Sequence, residues 1–575
     1  MYKLVRNRLE KWPVLAAALF MIIQVLCNLN LPTLTSDMIN KGVATGNTTY
    51  IWKTGAKMLG IALIGILASA GNVFFASTQA QRLGTKLRNA LFEKVLNFGN
   101  HEVDKFGASS LTTRTTNDVL QIQNVTVMIL RMMLQAPAML IGGIIMAYLS
   151  EKKLTIVFLV SLPLLAIAIG IVMSFAGPLF SSLQKKIDRI NLVFREGLTG
   201  VRVVRAFRQD SFEQNRFEDA NKSYTDTAIK AFSLVSLMFP IMTLILNGTN
   251  IGIIWIGANL VSNRSMEIGN LVSFMTYAAM ILFSFMMLSM VFVFIPRAQA
   301  AAVRIQEVLD TEYSIKEDTN PALLNNSELS LEFKNVAFRY AHAERRALDS
   351  ISFNLHSGET LAIIGGTGAG KSTLINLIPR LYDIESGQIN LNGTDISTLS
   401  QSKLHEKIAF VQQKAFLFEG TIRSNLQVGK PDATEDEMWH ALEIAQATEF
   451  VNTLDNGLDS IVEHNGANFS GGQRQRLAIA RAIIKPASVY IFDDSFSALD
   501  FKTDAKLRKA LSNDTKISQS IVIIVAQRIA TVTTANQIIV LDEGQNVGQG
   551  THTELKKSNS TYQEIIKSQL KGEDI

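Results

Sequence analysis

The densest chemistry in this chain of 575 residues lies in Gly365-Gly366-Thr367-Gly368-Ala369-Gly370-Lys371-Ser372. Glycines at this spacing let successive backbone N–H groups turn inward around a phosphate at a helix N-terminus. Lys371 then neutralises phosphate charge, and the Ser372 hydroxyl, followed by Thr373, can ligate Mg²⁺. The surroundings fit: strand-like Thr360–Ile364 precedes the loop and helical Thr373–Pro379 follows it. ATP with Mg²⁺ is the expected ligand pair. A second element of the same chemistry is Val489-Tyr490-Ile491-Phe492-Asp493, an apolar strand ending in an acid. Asp493 is placed there to hold Mg²⁺ through water, and Asp494 follows it directly.

The elements that must position these residues occupy only the second half of the chain. From about Ser330 the sequence reads as a soluble α/β domain. Before it, six segments approach the roughly 20 apolar residues needed to span a bilayer. They run over Pro13–Leu34, Thr54–Thr78, Met132–Leu149, Leu154–Ala176, Phe232–Val261 and Ile268–Pro296. The first follows Lys3, Arg6, Arg8 and Lys11, but it is too long for a signal peptide and no small-residue cleavage site follows; it reads as a retained helix with its N-terminus inside. Arg82, Lys86, Arg88, Lys94, Lys105 and Arg114 fill one connecting stretch, and Lys185 to Arg216 another. Both fall on the cytoplasmic side in that orientation, which places both termini and the α/β domain in the cytoplasm; Lys152 and Lys153 dissent. Trp12 and Trp52 fall at interfaces. The two basic stretches are helical in pattern and should prolong the membrane helices, with polar tips near Glu102–Ser109 and Gln209–Arg216 that could rest on another domain; solvated loops are the alternative.

The expected division is 1–310 for the membrane domain, 311–329 for a linker marked by Asn320-Pro321 and Asn325-Asn326, and 330–575 for the α/β domain. The net charge of +5 carries no basic tail, so nucleic acid is not indicated as a partner. A single cysteine, Cys27, excludes a disulfide within the chain and reads as a buried, inert thiol. No Asp or Glu lies inside the six spans, which argues against proton coupling. Asn247, Asn250, Ser273, Thr276 and Tyr277 lie among Phe274, Phe283, Met286, Met287 and Phe292, a soft surface suited to bulky apolar ligands. Helix packing and lipid contact are the competing reading for each of them.

Between the two phosphate-site motifs stands Phe469-Ser470-Gly471-Gly472-Gln473-Arg474-Gln475-Arg476, which resembles the signature of ATP-binding cassettes. With it, nearly the whole chain resembles an ABC transporter half-molecule of the exporter type: a six-span α-helical membrane domain followed by an α/β P-loop cassette. The resemblance implies that Tyr340 stacks on adenine and that Gln413 contacts Mg²⁺ and senses the membrane domain. It implies that Glu463-His464-Asn465-Gly466 faces the membrane-domain helices, that Ser497-Ala498-Leu499-Asp500 forms the loop in which Asp500 serves the reaction, and that the cytoplasmic tips are coupling helices. It also implies two cassettes paired head to tail, each ATP lying between one P-loop and the other's Ser470, Gly471, Gly472 and Gln473.

Two positions depart from the family pattern. Where the general base is normally Glu, this chain has Asp494, which withdraws the carboxylate by roughly 1–1.5 Å. A base must lie within about 3 Å of its water, and a misplacement of about 1 Å can cost on the order of 10²-fold. Where a switch His is normal, this chain has Gln527, which cannot carry a proton. Both fall in one site, beside a nearly standard signature. The pattern resembles the degenerate-site subunit of heterodimeric bacterial multidrug exporters of the cytoplasmic membrane. The expected partner is then a second half-transporter that supplies the Glu and the His, and the cargo a hydrophobic or amphipathic compound, with membrane lipids around it. A homodimer with two slow sites, a lipid flippase, a peptide exporter and an ATP-gated regulatory protein are the alternatives.

Overall fold

The computed structural model describes residues 1–317, 320–325, 328–341 and 343–570, the side chains of 2, 3, 289–293 and 570 excepted. Asn326 and the Phe292 side chain therefore lie outside the described residues. The chain divides into two compact units, Met1–Leu96 with Ser109–Thr311, and Asn97–Ala108 with Glu312–Ile575. The tip of the first long basic stretch thus groups with the second unit rather than with the helices on either side of it in sequence.

A bilayer offers no water to backbone N–H and C=O groups, so a spanning segment must close its hydrogen bonds internally, as a helix does. Among the described residues, six helical stretches are long and apolar enough to cross a membrane: Lys11–Val43, Thr48–Leu96, Ala108–Ser150, Ile156–Thr199, Asp210–Ser262 and Ile268–Leu288. Each of the six expected runs falls on one of them. The last helix continues to Asp310. Thr48–Leu96 is unbroken over 49 residues, about 74 Å at the rise of an α-helix. Leu59, Ile66, Leu67 and Trp52 are exposed along it, a surface suited to lipid chains. Cys27 is half-buried, not buried as the sequence suggested.

Apolar contact alone drives helix association weakly in lipid, so small residues and polar ties fix the packing. The buried Asn72 amide donates to the carbonyls of Ala17 (2.8 Å) and Leu130 (3.4 Å), joining three helices. At Gly84 an added Cβ would lie 2.1 Å from Gln123 Nε2, so only glycine admits this approach. On the last helix of this unit, Arg304 grips the buried Asp118 through two bonds, Nε to Oδ2 at 2.8 Å and Nη2 to Oδ1 at 2.5 Å.

In the second unit, β1 (Ser330–Phe338), β2 (Leu348–His356), β4 (Ser386–Leu391) and β5 (Thr394–Asp395) form an antiparallel sheet in the order β2-β1-β4-β5. A six-stranded sheet runs β12-β11-β3-β10-β9-β6, built from β3 (Thr360–Gly365), β6 (Ile408–Val411), β9 (Val489–Asp493), β10 (Ile521–Val525), β11 (Gln537–Asp542) and β12 (Gln545–Gly550). A short pair, β7 (Gly420–Thr421) with β8 (Ile461–Val462), stands apart. The strands β9 and β10 are buried along their whole length, as their unbroken apolar runs require when both faces of a parallel sheet are covered. One core contains Tyr490, Phe492 and Ile524, and the other Ile491, Ile523 and Ile363, so alternate residues of the same strands feed opposite faces.

The tip Asn100–Phe106 is a short helix in this unit. Its buried Glu102 accepts from Ser314 N (3.0 Å) and Ser314 Oγ (3.1 Å), while Asp104 accepts from the Tyr382 hydroxyl at 3.3 Å. The segment after Thr311 is irregular but tied down, with Gln401 N donating to Glu317 at 2.8 Å and Ala322 N to Thr398 O at 2.9 Å.

Breaking a buried ion pair strands a charge, whereas an exposed helical pair contributes little. Arg304→Gln, which leaves the buried Asp118 carboxylate without its cation, is therefore expected to lower the thermal midpoint of the purified protein by several degrees, while Asp37→Asn, which removes the exposed pair with Lys41, leaves it unchanged; a fluorescence melt of both variants checks this.

Candidate nucleotide site and membrane cavity

The register of the parallel strands sets the site. Val525 of β10 stands opposite Ile363 of β3 and Asp493 of β9, so β9 and β10 end level while β3 runs two residues further, to Gly365, where the phosphate loop begins. The chain leaving β3 turns through Gly365–Gly370 into the helix Lys371–Leu377. Gly370 has φ +99°, and a Cβ there would lie 2.9 Å from the Ala347 carbonyl, which explains why the loop ends in glycine. Lys371 Nζ donates to the carbonyls of Gly365 (2.8 Å) and Gly366 (2.7 Å). Ser372 Oγ donates to Asp493 Oδ1 at 3.1 Å, bringing a hydroxyl and a carboxylate together from positions 121 residues apart.

A cavity of about 510 Å³ opens here. Tyr340, Thr367, Gly368, Gly370, Lys371, Ser372, Thr373, Gln413, Asp493, Asp494 and Gln527, all expected from the sequence, line it. Gly365, Gly366 and Ala369 shape the loop without lining the cavity. Arg345, Arg346 and Glu543 also line it and were not singled out from the sequence, since no motif marks them. Tyr340 sets its hydroxyl 3.0 Å from Thr373 Oγ1 and its ring edge against Phe338.

Asp494 is the tightest point. It sits at φ +45°, a left-handed conformation few non-glycine residues adopt, with its N–H bonded to the Val525 carbonyl. Its Oδ2 accepts two amides, Gln527 Nε2 at 2.7 Å and Gln413 Nε2 at 3.3 Å. Burial pushes its carboxyl above the usual carboxylate range, opposed by the hydrogen bonds from Gln413, Ser497 and Gln527 and by the charge of Lys371. Burial likewise raises Asp493, with Asp494 beside it adding to the shift, and lowers the Lys371 ammonium.

The signature lies elsewhere. Ser470 caps the helix Gly471–Ile483 by accepting from Gln473 N, while Gln473 Oε1 accepts from Ser470 N at 2.9 Å. Ser470 and Gly471 are exposed, and among the described residues none of Ser470, Gly471, Gly472 and Gln473 lines the cavity. The buried Phe469 meets Phe450 edge-on, and Arg476 stacks on the same Phe450 ring. Asp500 does not line the cavity either: its Oδ1 accepts from Thr503 N at 2.9 Å and caps the helix Phe501–Asn513.

In the first unit a cavity of about 590 Å³ is lined by Met139, Met242, Met280, Met286, Met287 and Phe283, with the carboxamides of Asn28 and Gln135. Phe283, Met286 and Met287 were expected there. Phe274, Tyr277, Thr276, Asn247 and Asn250 were expected to face ligand and do not line it. Phe274 is buried and stacked on Phe158, and the Tyr277 hydroxyl is committed to the Leu29 carbonyl (2.8 Å) and Thr33 (2.7 Å). Thr276 bonds the Val272 carbonyl of its own helix. Asn28 and Gln135 were missed, because no motif or spacing marks either of them within its apolar run.

Residues 14–286 match the family described as ABC transporter transmembrane region, and residues 348–497 that described as ABC transporter. An ABC transporter ATP-binding protein of Mycobacterium tuberculosis is 40% identical over 572 residues, 98% of each chain. The ATP-dependent lipid A-core flippase of Coxiella burnetii is 29% identical over 574 residues, covering 99% of this chain and 96% of that protein. The solved structure of a bacterial Atm1-family ABC exporter with ATP bound superposes with a TM-score of 0.81 at 24% identity, covering 97% and 98% of the two chains. The chain belongs to the ABC transporter family. It is a multi-pass membrane protein of the exporter fold, with a cassette that binds and hydrolyses ATP to drive export.

A carboxyl raised in the folded state favours the fold below its unfolded pKa and loses that contribution as pH rises through the folded pKa. At neutral pH the ionised Asp494 is therefore a burden on the cassette. Without nucleotide or Mg²⁺, Asp494→Asn is expected to melt higher than the wild type at neutral pH, with the difference closing as the pH falls through the carboxylate range; melts across a pH series measure it.

Proposed function

We propose that this chain is one half of an asymmetric exporter, holding ATP in its own site and hydrolysing it slowly, while its signature completes a faster site on a different half-transporter. The observation that carries this reading is the single oxygen of Asp494 engaged by both Gln413 and Gln527. A general base needs a free oxygen within about 3 Å of water. Here the carboxylate is one methylene short and one of its oxygens is held by two amides, neither of which can take a proton. The exposed Gly471, first residue of a 13-residue helix, presents a backbone N–H of the kind that a helix start leaves for a phosphate from another cassette.

In this site Lys371 and the loop amides receive the β- and γ-phosphates, and Tyr340 supports the base. Mg²⁺ fits the donors present, since Ser372 Oγ and Asp493 Oδ1 are hard oxygens 3.1 Å apart, and Gln413 offers a third. The ion would neutralise phosphate charge; the residues themselves hold and orient the nucleotide. Binding draws the paired cassettes together and shifts the membrane helices toward the outward state; hydrolysis on the partner's side resets them. The site lies in the cytoplasm beneath the cytoplasmic membrane. The functional division is 1–310, 311–329 and 330–575, although Asn97–Ala108 and the segment from Glu312 group with the second compact unit.

The cargo is hydrophobic or amphipathic. The methionine-lined cavity supports this, because thioether side chains adapt to varied apolar shapes. Asn28 and Gln135 are half-buried in its wall without a hydrogen-bond partner among the described residues, so they are available to a polar group on the ligand. Lipid translocation is the second reading, favoured by the uncharged lining and by the Coxiella burnetii relative named a lipid A-core flippase.

The chain purified alone should turn over ATP slowly, and the pair rapidly. Asp494→Glu with Gln527→His should raise the rate of the single chain by about 10²-fold, and Asp494→Ala should leave most of the paired activity. Vigorous hydrolysis by the wild-type chain alone would sink the asymmetric reading. Asn28→Leu with Gln135→Leu is expected to weaken binding of an amide-bearing dye by about 2- to 10-fold, one hydrogen bond's worth, and to leave a hydrocarbon dye of equal size unaffected. Fluorescence titration of both dyes decides it.

A further inference from the structure

The main chain around Gln527 is held from a distance. Gln569, on the helix Ser560–Leu570, donates through Nε2 to the Gln527 carbonyl at 2.6 Å and accepts from Ile529 N at 2.8 Å. One carboxamide thus closes on the backbone on both sides of Arg528, as a neighbouring strand would. The short helix Ile529–Val532 has no side-chain cap of its own at Arg528. Gln569 satisfies one of the N–H groups that such a helix start leaves unpaired. Arg528 in turn stacks on the Phe501 ring, with its guanidinium carbon 4.6 Å from the centroid. The Gln527 side chain continues to Asp494 Oδ2 at 2.7 Å.

We infer that Gln569 is a positioning residue for the switch: it fixes residues 527–529, and through Gln527 it fixes how the Asp494 carboxylate is presented to ATP. The helix that carries it is well rooted. Tyr562 is fully buried, with its hydroxyl 2.8 Å from His552 Nδ1, and Ile565 and Ile566 pack against the cassette core. Such an anchor does not drift with solvent-exposed loops, so the switch inherits the rigidity of the core. A glutamine clamp acting on main-chain atoms is also indifferent to which side chain occupies position 527. It would therefore hold a histidine there as it holds Gln527.

The inference concerns the ATP site and rests on its role in hydrolysis, not on the asymmetry proposed above. Its test uses the full chain in lipid nanodiscs, wild type and Asp494→Glu/Gln527→His, each with and without Gln569→Ala. Hydrogen–deuterium exchange of the peptide spanning 527–533 should quicken in Gln569→Ala in both backgrounds. In whichever background turns over faster, kcat should fall about tenfold or more, as expected for a small misplacement of the base, with KM for ATP within about twofold. Gln569→Glu should behave likewise, because its carboxylate opposes the Gln527 carbonyl. Tyr562→Phe, which loses the bond to His552 but not the clamp, should leave kcat unchanged. Unchanged exchange at 527–533 would overturn the inference, as would quicker exchange with kcat intact. A fall in kcat that tracks a lowered thermal midpoint equally in Tyr562→Phe would reduce Gln569 to a structural role. Failure of Asp494→Glu/Gln527→His to gain activity would count against the slow-site reading and leave the comparison of Gln569→Ala with wild type standing.

Discussion

The register of three adjacent parallel strands, β3, β10 and β9, is the constraint on which the cassette depends. Phosphate chemistry needs a cation, a hydroxyl and carboxylates within a few ångströms. Here they come from Lys371, Ser372, Asp493 and Asp494, two pairs far apart in sequence. Pairing Val525 with both Ile363 and Asp493 is what makes them neighbours. A slip of one residue would turn alternate side chains to the wrong face and pull Asp493 from Ser372. The two apolar cores on either face of the sheet hold that register, and so the packing of Ile491, Phe492, Ile523 and Ile524 is part of the site.

The same arrangement explains why Asp494 is held and not merely shortened. Its backbone leaves the strand at φ +45° with its N–H still bonded to Val525, and this aims the side chain at Gln413 and Gln527. Desolvation favours the protonated carboxyl, while the two amides favour the ionised one. Such a balance keeps a buried charge tolerable at the expense of its freedom to act. A histidine at 527 would change both sides of it, adding a group that can carry a proton where the glutamine only donates a hydrogen bond.

Much of this was legible in the sequence, for physical reasons that also mark where legibility stops. The six spans were, because a bilayer demands contiguous apolar residues. The phosphate loop was, because its glycines and lysine do one job at fixed spacing. The residues that line the cavity of the membrane half were legible only in part, Phe283, Met286 and Met287 among them. A helix that is apolar all round gives no sign of which face points inward, so Phe274 and Tyr277, which looked like a binding surface, proved to be packing, while Asn28 and Gln135 passed unnoticed. Gln569 stands 42 residues from Gln527, and nothing in their spacing announces that they meet.

The helix Thr48–Leu96 runs unbroken for 49 residues. It contains no proline, and the Asn72 carboxamide ties its middle to two neighbouring helices. A rod of about 74 Å pivoting near its centre is a lever. A tilt of about 1° about that point displaces each end by about 0.6 Å, in opposite directions. Such a helix has no need to bend or unfold in order to signal along its length. Angles too small to notice in the bilayer become, at the far end, distances on which a hydrogen bond is made or lost.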